Sequence, residues 1–189
     1  MKSLKIILPI AIVVLLIIFW LVGYYNAFVT LNEQADGQWA QVETQYQRRF
    51  DLIPNLVNSV QGLMDQEKEI FLALAEARTR YTNAATPDQK AEAAGQVELA
   101  LGRLIAIFEN YPDLKSGAAV QDLMTQLEGT ENRVSVERKR YNDTIKEYNL
   151  KVKRIPGRWI AGMFGFDERA FFDAVEGSET APTVELNKK

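Results

Sequence analysis

The sequence of 189 residues contains no cysteine and no histidine. The absence of cysteine excludes a disulfide framework and a lipid-modified cysteine, and it fits an exported domain held together by packing alone. Without His or Cys, the chain also lacks the usual ligands of zinc, iron and copper and the Cys–His and Ser–His pairs of nucleophilic catalysis. We therefore expect no cofactor, no metal-binding residues and no catalytic residues.

Charged side chains are absent from residues 6–32, and residues 6–25 are almost entirely apolar, reading IILPIAIVVLLIIFWLVGYY. A helix of that length rises roughly 30 Å, the thickness of the hydrocarbon core of a bilayer. The residues from Trp20 to Ala27 are too bulky for a small-x-small cleavage site, which favours an uncleaved anchor over the alternative of a removed signal peptide. We predict a transmembrane anchor over residues 1–26, in contact with lipid through its apolar run.

Basic residues are distributed unevenly along the chain. Lys2 and Lys5 precede the apolar run, and the next Lys or Arg is Arg48. The positive-inside rule therefore predicts a cytoplasmic N-terminus, with the rest of the chain on the opposite side of the membrane. Farther along, residues 133–158 hold nine basic side chains against three acidic ones. This asymmetry indicates either an interaction surface or a solvated helix face that complements an acidic neighbour, and we favour the second interpretation.

The remainder of the sequence has the periodicity of helices. Apolar residues recur at steps of three and four, and no segment alternates with the period of two that is typical of strands. We predict an all-α fold, with an elongated antiparallel bundle of about four helices over residues 27–175 and a disordered polar tail over residues 176–189. The first helix is expected to continue from residue 28 to about residue 81. Residues 86–89, Thr-Pro-Asp-Gln, have the pattern of a capped helix start.

Pro54 lies inside this long first segment. The apolar period continues through Pro54 and no glycine turn precedes it, which favours a kinked helix over the alternative of a chain reversal at this point. A helical proline frees the carbonyl oxygen four residues earlier, that of Phe50. The polar neighbours either satisfy this freed group at a simple bend or, with Pro54, form a notch that binds a partner or ligand. These neighbours are Arg48, Arg49, Asp51 and Asn55.

Aromatic side chains are concentrated in residues 158–172, a short segment interrupted by two glycines. This segment is a candidate for contact with another subunit or with the membrane surface, where Trp and Phe beside Arg are favourable. The alternative is a short helix that closes the bundle. Lipid contact requires a position near the bilayer, which a reversal at Pro54 would supply and a kinked helix would make difficult. The candidate contact residues are Trp159, Phe164, Phe166, Phe171 and Phe172, together with Tyr111 in a Tyr-Pro-Asp turn.

Several short motifs are distributed along the chain. They are DLIPNLV at 51–57, NYPDLK at 110–115, LEGTENR at 127–133, RYN at 140–142 with YN at 148–149, and MFGF at 163–166 with FF at 171–172. With these motifs the sequence resembles the LemA family of bacterial membrane proteins, and the resemblance covers residues 5–175. It implies a single-pass protein of the bacterial cell (inner) membrane whose helical bundle lies in the periplasm or outside the cell. It implies no defined activity, although some family members are associated with membrane-bound metalloproteases or with magnetosome formation.

The sequence thus predicts a non-enzymatic scaffold or adaptor of the cell envelope that acts through protein contacts and self-association. The alternative is an envelope receptor that binds a protein or peptide at the Pro54 notch and the Tyr111 turn. An enzyme using Asp51, or Glu128 with Glu131, is disfavoured because nothing supplies a pocket or an electrophile. The expected partners are the lipid bilayer, further copies of this chain and, by family association only, a membrane metalloprotease. Nucleic acid is not expected, because the basic stretch is interleaved with acids on the non-cytoplasmic side.

Overall fold

The computed structural model describes residues 2–59, 68–110 and 117–172. Within these ranges the chain forms α-helices and no strands, so the all-α prediction is confirmed. The tail at 176–189 and Tyr111 lie outside the described residues. The helices are α1 (Lys2–Ser59), α2 (Lys68–Asn83), α3 (Pro87–Asn110), α4 (Ala118–Lys153) and α5 (Gly157–Phe164).

The N-terminal part of α1 is apolar and unpacked. Every side chain from Ile6 to Trp20 is exposed, and the most apolar 18-residue window of the helix has a mean hydropathy of 3.1 with none of it buried. α1 is the one helix in the described part of the chain that is long and apolar enough to cross a membrane. Because exposing such a surface to water is unfavourable by about 25 cal/mol for each Å², this helix fits a single-pass membrane protein.

The long first helix is confirmed, but it ends earlier than the periodicity indicated. α1 continues through Pro54 to Ser59, so the chain does not reverse at the proline, and the kink there stays a prediction. The prediction of one helix to residue 81 is wrong, because α2 is a separate helix that lies beside α1. Its Tyr81 ring packs on the rings of Tyr46 and Phe50, with centroids 5.2 and 5.0 Å apart. The apolar spacing of three and four residues continues from α1 into α2 because each of the two helices buries one apolar face.

The chain forms two compact units, which α1 and α4 both enter. The first unit contains residues 1–43 and 135–171. Its core consists of Phe28 from α1 with Tyr148 and Val152 from α4 and Ile160 and Ala161 from α5. In this unit α1 and α4 are antiparallel, because the early residue Phe28 meets the late residue Tyr148, whereas Trp39 meets Tyr141, with ring centroids 5.2 Å apart.

The second unit contains residues 44–134 and 172–189. Its described core combines an aromatic cluster on α1 and α2 with the apolar face predicted for α3, where Val97, Leu101 and Leu104 are buried. α3 begins as the sequence pattern indicates. The Gln89 N–H donates to Thr86 Oγ1 at 3.2 Å, and the Thr86 N–H donates to Gln89 Oε1 at 3.4 Å. This reciprocal cap satisfies two N–H groups that a helix start leaves without partners.

Candidate functional site

Arg49, one of the residues predicted to form the proline notch, points into the second unit. Its side chain is only 2% exposed, and Nη2 lies 3.7 Å from Oε2 of Glu131 on α4. The Nε and Nη1 atoms have no hydrogen-bond partner among the residues that the structure describes. A buried cation is unfavourable unless a negative charge compensates it. Glu131 supplies that charge from the surface, so Arg49 joins α1 to α4.

Arg48 and Asp51 lie on the outside of the same turn of α1, where they line an open groove. The groove has a volume of about 470 Å³, and its other wall comes from α4, including Gly129 and Arg133. The Asp51 carboxylate accepts a hydrogen bond of 2.9 Å from Gln47 Nε2. Two arginine side chains in an open groove have the chemistry to bind a carboxylate or phosphate group of a partner.

Pro54 lies in a different depression from Arg48 and Asp51. It lines a surface hollow of about 510 Å³ between α1 and α2, beside Ile53 and Arg78. The predicted notch residues are therefore distributed over three environments: Arg48 and Asp51 share one groove, Pro54 belongs to another, and Arg49 is internal. The side chain of Asn55 is exposed. Consecutive helical residues point in different directions, at about 100° per residue, which explains this separation.

The C-terminal aromatic residues have two kinds of environment. In the first unit, Phe166 stacks on Phe28 with ring centroids 5.1 Å apart, and Phe164 meets Tyr25 edge to face at 5.0 Å. In the second unit, Phe172 is buried and stacks on Tyr46 at 6.4 Å. Trp159 and Phe171 are exposed. Some of the predicted contact residues therefore close the core, and others remain available at the surface.

Residues 166–171, which we name the terminal segment, follow α5 without regular secondary structure and are held by side chains of α4. The Tyr148 hydroxyl donates to the carbonyl oxygen of Asp167 at 2.9 Å. Asn149 bonds both backbone groups of Arg169: its Oδ1 accepts from the N–H at 2.9 Å and its Nδ2 donates to the carbonyl at 2.8 Å. Because buried backbone groups require hydrogen-bond partners, these side chains replace the bonds that a helix would provide.

The Arg169 side chain attaches the terminal segment to α1. Its Nη2 donates to Asp36 Oδ1 at 2.6 Å, and its Nη1 donates to Asn32 Oδ1 at 3.0 Å. Burial works to lower the pKa of the Arg169 guanidinium, but the hydrogen bond and charge of Asp36 outweigh it, so the pKa is raised and the group stays charged. Burial raises the pKa of the Tyr148 hydroxyl, and the positive charge of Arg169 offsets part of this effect.

Sequence reasoning did not identify Asn32, Asp36, Asn149 or Arg169 as site residues. A signal existed for α4, where Tyr141 and Tyr148 are seven residues apart and therefore lie on one helix face, with Asn149 next to Tyr148. Polar groups on a buried helix face require partners, so this face indicated a polar segment packed against it. Nothing in the local sequence around Arg169 indicates that the arginine reaches α1.

The arrangement is suited to holding the chain together. The buried polar side chains of the first unit bond backbone groups or one another, and the described residues contain no group of three or more acidic side chains placed to hold a metal ion. The groove between α1 and α4 offers polar surface to a partner, and the exposed residues of α5 offer apolar surface.

Comparison with known proteins identifies the family. The sequence model of the LemA family matches residues 38–186. The chain is 27% identical to magnetosome protein MamQ 2 of Paramagnetospirillum magneticum and 28% identical to magnetosome protein MamQ of Magnetospirillum gryphiswaldense, and each alignment covers 82% of this chain and 67% of the relative. It is 21% identical to protein LemA of Metamycoplasma hominis, over 84% of this chain and 73% of that protein. The chain therefore belongs to the LemA family.

Proposed function

We propose that this protein is a non-enzymatic, membrane-anchored scaffold or adaptor of the bacterial cell envelope that acts through protein contacts and self-association. The observation that carries the proposal is the continuity of the anchor with the folded domain. α1 passes from the continuously exposed residues 6–20 to the buried residues Phe28 and Trp39 without a break. A shared helix holds the first unit at a fixed distance from the bilayer, as a platform for other proteins requires.

Two of the carboxylates considered for acid–base chemistry have other roles that favour this proposal. Asp51 accepts a hydrogen bond from Gln47, and Glu131 balances the buried charge of Arg49. A general acid or base requires a reacting group within hydrogen-bond reach and a pKa suited to the reaction. The perturbed groups of the first unit, Tyr148 and Arg169, instead bond the terminal segment and α1. Structural roles account for these groups.

The proposal includes a cytoplasmic N-terminus and a helical domain on the other side of the inner membrane. The distribution of Lys and Arg around the apolar run supports this orientation. Because the chain has no cysteine, a single introduced cysteine is its only thiol. In intact cells whose outer layers are permeable, a membrane-impermeant maleimide should label Thr125→Cys on α4 and should not label Ser3→Cys until the membrane is disrupted. The opposite labelling pattern would show that the helical domain, and not the N-terminus, lies in the cytoplasm.

Self-association is tested on the full-length protein in mild detergent and in nanodiscs. Native mass spectrometry should give a mass of two or more chains, and this mass should persist on dilution to low micromolar concentration. Disulfide cross-linking in the membrane then reports which surface faces a second copy. The cysteine is introduced by Thr125→Cys on the exposed surface of the second unit or by Val136→Cys on the exposed surface of the first. A monomer in both detergent and nanodiscs would rule out self-association. The scaffold would then have to act through contacts with a different protein.

The groove at Arg48 supports a second candidate, an envelope receptor for a protein or peptide with acidic groups. Arg48, Asp51 and Arg133 line a groove of about 470 Å³ that is open to solvent. If this function is correct, the native complex isolated from membranes contains one chain with one partner, and Arg48→Glu with Arg133→Glu removes the partner. Lys139→Glu, an exposed charge change away from the groove, is the matched control. A complex that resists the double substitution would exclude the groove as its binding site.

A further inference from the structure

α5 has one buried face and one exposed apolar face. Ile160 and Ala161 are buried against the core of the first unit, whereas Trp159 is 67% and Met163 69% exposed. Trp159 and Met163 are four residues apart within α5, so they fall on one side of the helix, and we name them the stripe. Ile155, two residues before α5 begins, is 67% exposed and adds apolar surface near the start of the helix. Large apolar side chains grouped on a surface, rather than scattered singly, indicate a contact with a membrane or a protein.

The stripe is located where the apolar run of α1 ends. The ring of Phe164 lies 5.0 Å from that of Tyr25, the last residue of the run, and Leu21 and Tyr24 are the first residues of α1 that pack on the core containing α5. α5 thus lies beside residues 21–25 of α1, about one helical turn, ~5 Å, beyond Trp20, the last residue of the fully exposed part of the helix. The headgroup layer extends about 5–7 Å beyond the hydrocarbon core on each side. This position places α5 within that layer.

Basic side chains accompany the stripe. Arg154 and Arg158 are exposed on either side of Ile155, and Lys151 extends over the ring of Tyr24 with Nζ 5.3 Å from its centroid. Arg154, Ile155 and Tyr24 also line a groove of about 430 Å³, in which Glu147 is the one carboxylate among the lining residues. Cations beside Trp and aliphatic side chains are typical of helices that lie in the plane of a membrane surface.

We propose that α5 is an interfacial helix that docks on the phospholipid surface from which α1 emerges. Trp159 and Met163 enter the boundary between headgroups and acyl chains, and Arg154 and Arg158 bind the phosphates of anionic lipids. Lipid is favoured over a protein partner because the surface is continuous with the membrane-spanning part of α1. The inference rests on the anchoring part of the proposed function. It adds that the domain contacts the bilayer a second time through α5.

The test uses full-length single-cysteine variants in nanodiscs that contain anionic and zwitterionic phospholipids. A spin label is attached at Met163→Cys on the stripe, at Gln126→Cys on the exposed surface of the second unit, or at Val14→Cys in the apolar run. Accessibility to oxygen, which partitions into lipid, is compared with accessibility to a water-soluble nickel chelate. We expect the labels at 163 and 14 to favour oxygen several-fold relative to the label at 126.

The outcomes separate the inference from the anchoring on which it depends. A label at 163 that prefers the nickel chelate, while the label at 14 prefers oxygen, overturns the interfacial helix and leaves the anchor intact. A label at 14 that prefers nickel overturns the anchor itself. If the label at 163 shows dipolar broadening that disappears on dilution with unlabelled protein, a second copy covers the stripe and the lipid assignment is wrong.

The basic residues are tested with the same label. Arg154→Gln with Arg158→Gln should reduce the oxygen preference at 163 in nanodiscs with anionic lipid. It should have little effect in purely zwitterionic nanodiscs, since the headgroups there carry no net charge. Lys139→Gln, which removes an exposed charge on α4 away from the stripe, is the matched control. An equal effect of the control and the double variant would contradict phosphate binding by the two arginines.

Discussion

Asn149 holds the backbone of Arg169 at both of its polar groups. The side-chain amide of Asn149 accepts a hydrogen bond of 2.9 Å from the Arg169 N–H and donates one of 2.8 Å to the Arg169 carbonyl oxygen. The pair has the pattern of two neighbouring strand residues, although the partner here is a side chain on a helix. Asn149 is only 5% exposed, so its amide bonds the terminal segment from the interior of the first unit.

Asn149→Ala should be strongly destabilising because it leaves the two backbone groups of Arg169 without partners. Each buried polar group that loses its hydrogen bond costs about 1–3 kcal/mol, so we expect a loss of about 3 kcal/mol. Urea unfolding of the full-length protein in mild detergent measures it. Asn132→Ala, at an exposed position of α4, is the matched control and should change stability by less than about 0.5 kcal/mol. Equal effects of the two substitutions would show that the Asn149 bonds contribute little.

Arg169 and Asp36 should be energetically coupled. The guanidinium is mostly buried, the carboxylate is half exposed, and their atoms are 2.6 Å apart. Water screens such a pair partly, so a double-mutant cycle with Arg169→Gln and Asp36→Asn should give a coupling energy of about 1 kcal/mol. Arg169→Lys should not restore stability, because an ammonium group cannot reach Asn32 and Asp36 together as the planar guanidinium does. A coupling energy of zero would show that the ion pair contributes nothing to stability and that these side chains contribute through packing alone.

Most helical segments could be predicted from the sequence because they have continuous apolar faces, and α3 also has a clear start signal. The seam through Phe28, Trp39 and Tyr46 and the Thr86 cap are local patterns, and the structure has both. The end of α1 could not be predicted in this way. α1 and α2 are antiparallel, but each buries an apolar face, so the apolar spacing in the sequence continues from one helix to the next. Only a contact such as that of Tyr81 with Phe50 shows that the chain has changed direction.

The location of α5 shows what sequence reasoning about the site could not supply. From the sequence, lipid contact of this segment is expected only if the chain reverses at Pro54, yet α1 continues through Pro54 and α5 still lies beside Tyr25. The antiparallel return of α4 along α1 brings it there. Such an outcome depends on pairings between residues far apart in the chain, as does the contact of Arg169 with Asp36. Periodicity identifies buried faces and does not specify their partners.

Gly157→Ala should be destabilising, whereas Gly162→Ala in the same helix should not. A Cβ atom at Gly157 would collide with the backbone carbonyl of Lys151, which can move only if α5 shifts away from α4. Gly162 has open space around its Cβ position, so alanine there should stabilise the helix by about 0.5–1 kcal/mol through its higher propensity. We expect Gly157→Ala to lower stability by at least about 2 kcal/mol, in the range of overpacked interiors. Opposite signs of the two changes in melting temperature confirm the close approach, and equal signs contradict it.

The stability of the first unit should fall at alkaline pH because of Tyr148. Burial raises the pKa of its hydroxyl in the folded state above the unfolded value, which is about 10. The folded state therefore favours the neutral hydroxyl, and this contribution is complete below about pH 10 and is lost as the pH rises through the folded pKa. Ionisation also removes the proton that Tyr148 donates to the carbonyl oxygen of Asp167. Thermal unfolding of the full-length protein between pH 8 and 11 measures the loss.

Tyr148→Phe separates this titration from the general effect of alkali. The variant should be less stable than the unmodified protein by about 1 kcal/mol at pH 8, because the Asp167 carbonyl loses its donor. Above pH 10 the difference should shrink, since phenylalanine has no proton to lose. If the curves for Tyr148→Phe and the unmodified protein stay parallel up to pH 11, another group causes the alkaline loss and the Tyr148 hydroxyl contributes only its hydrogen bond.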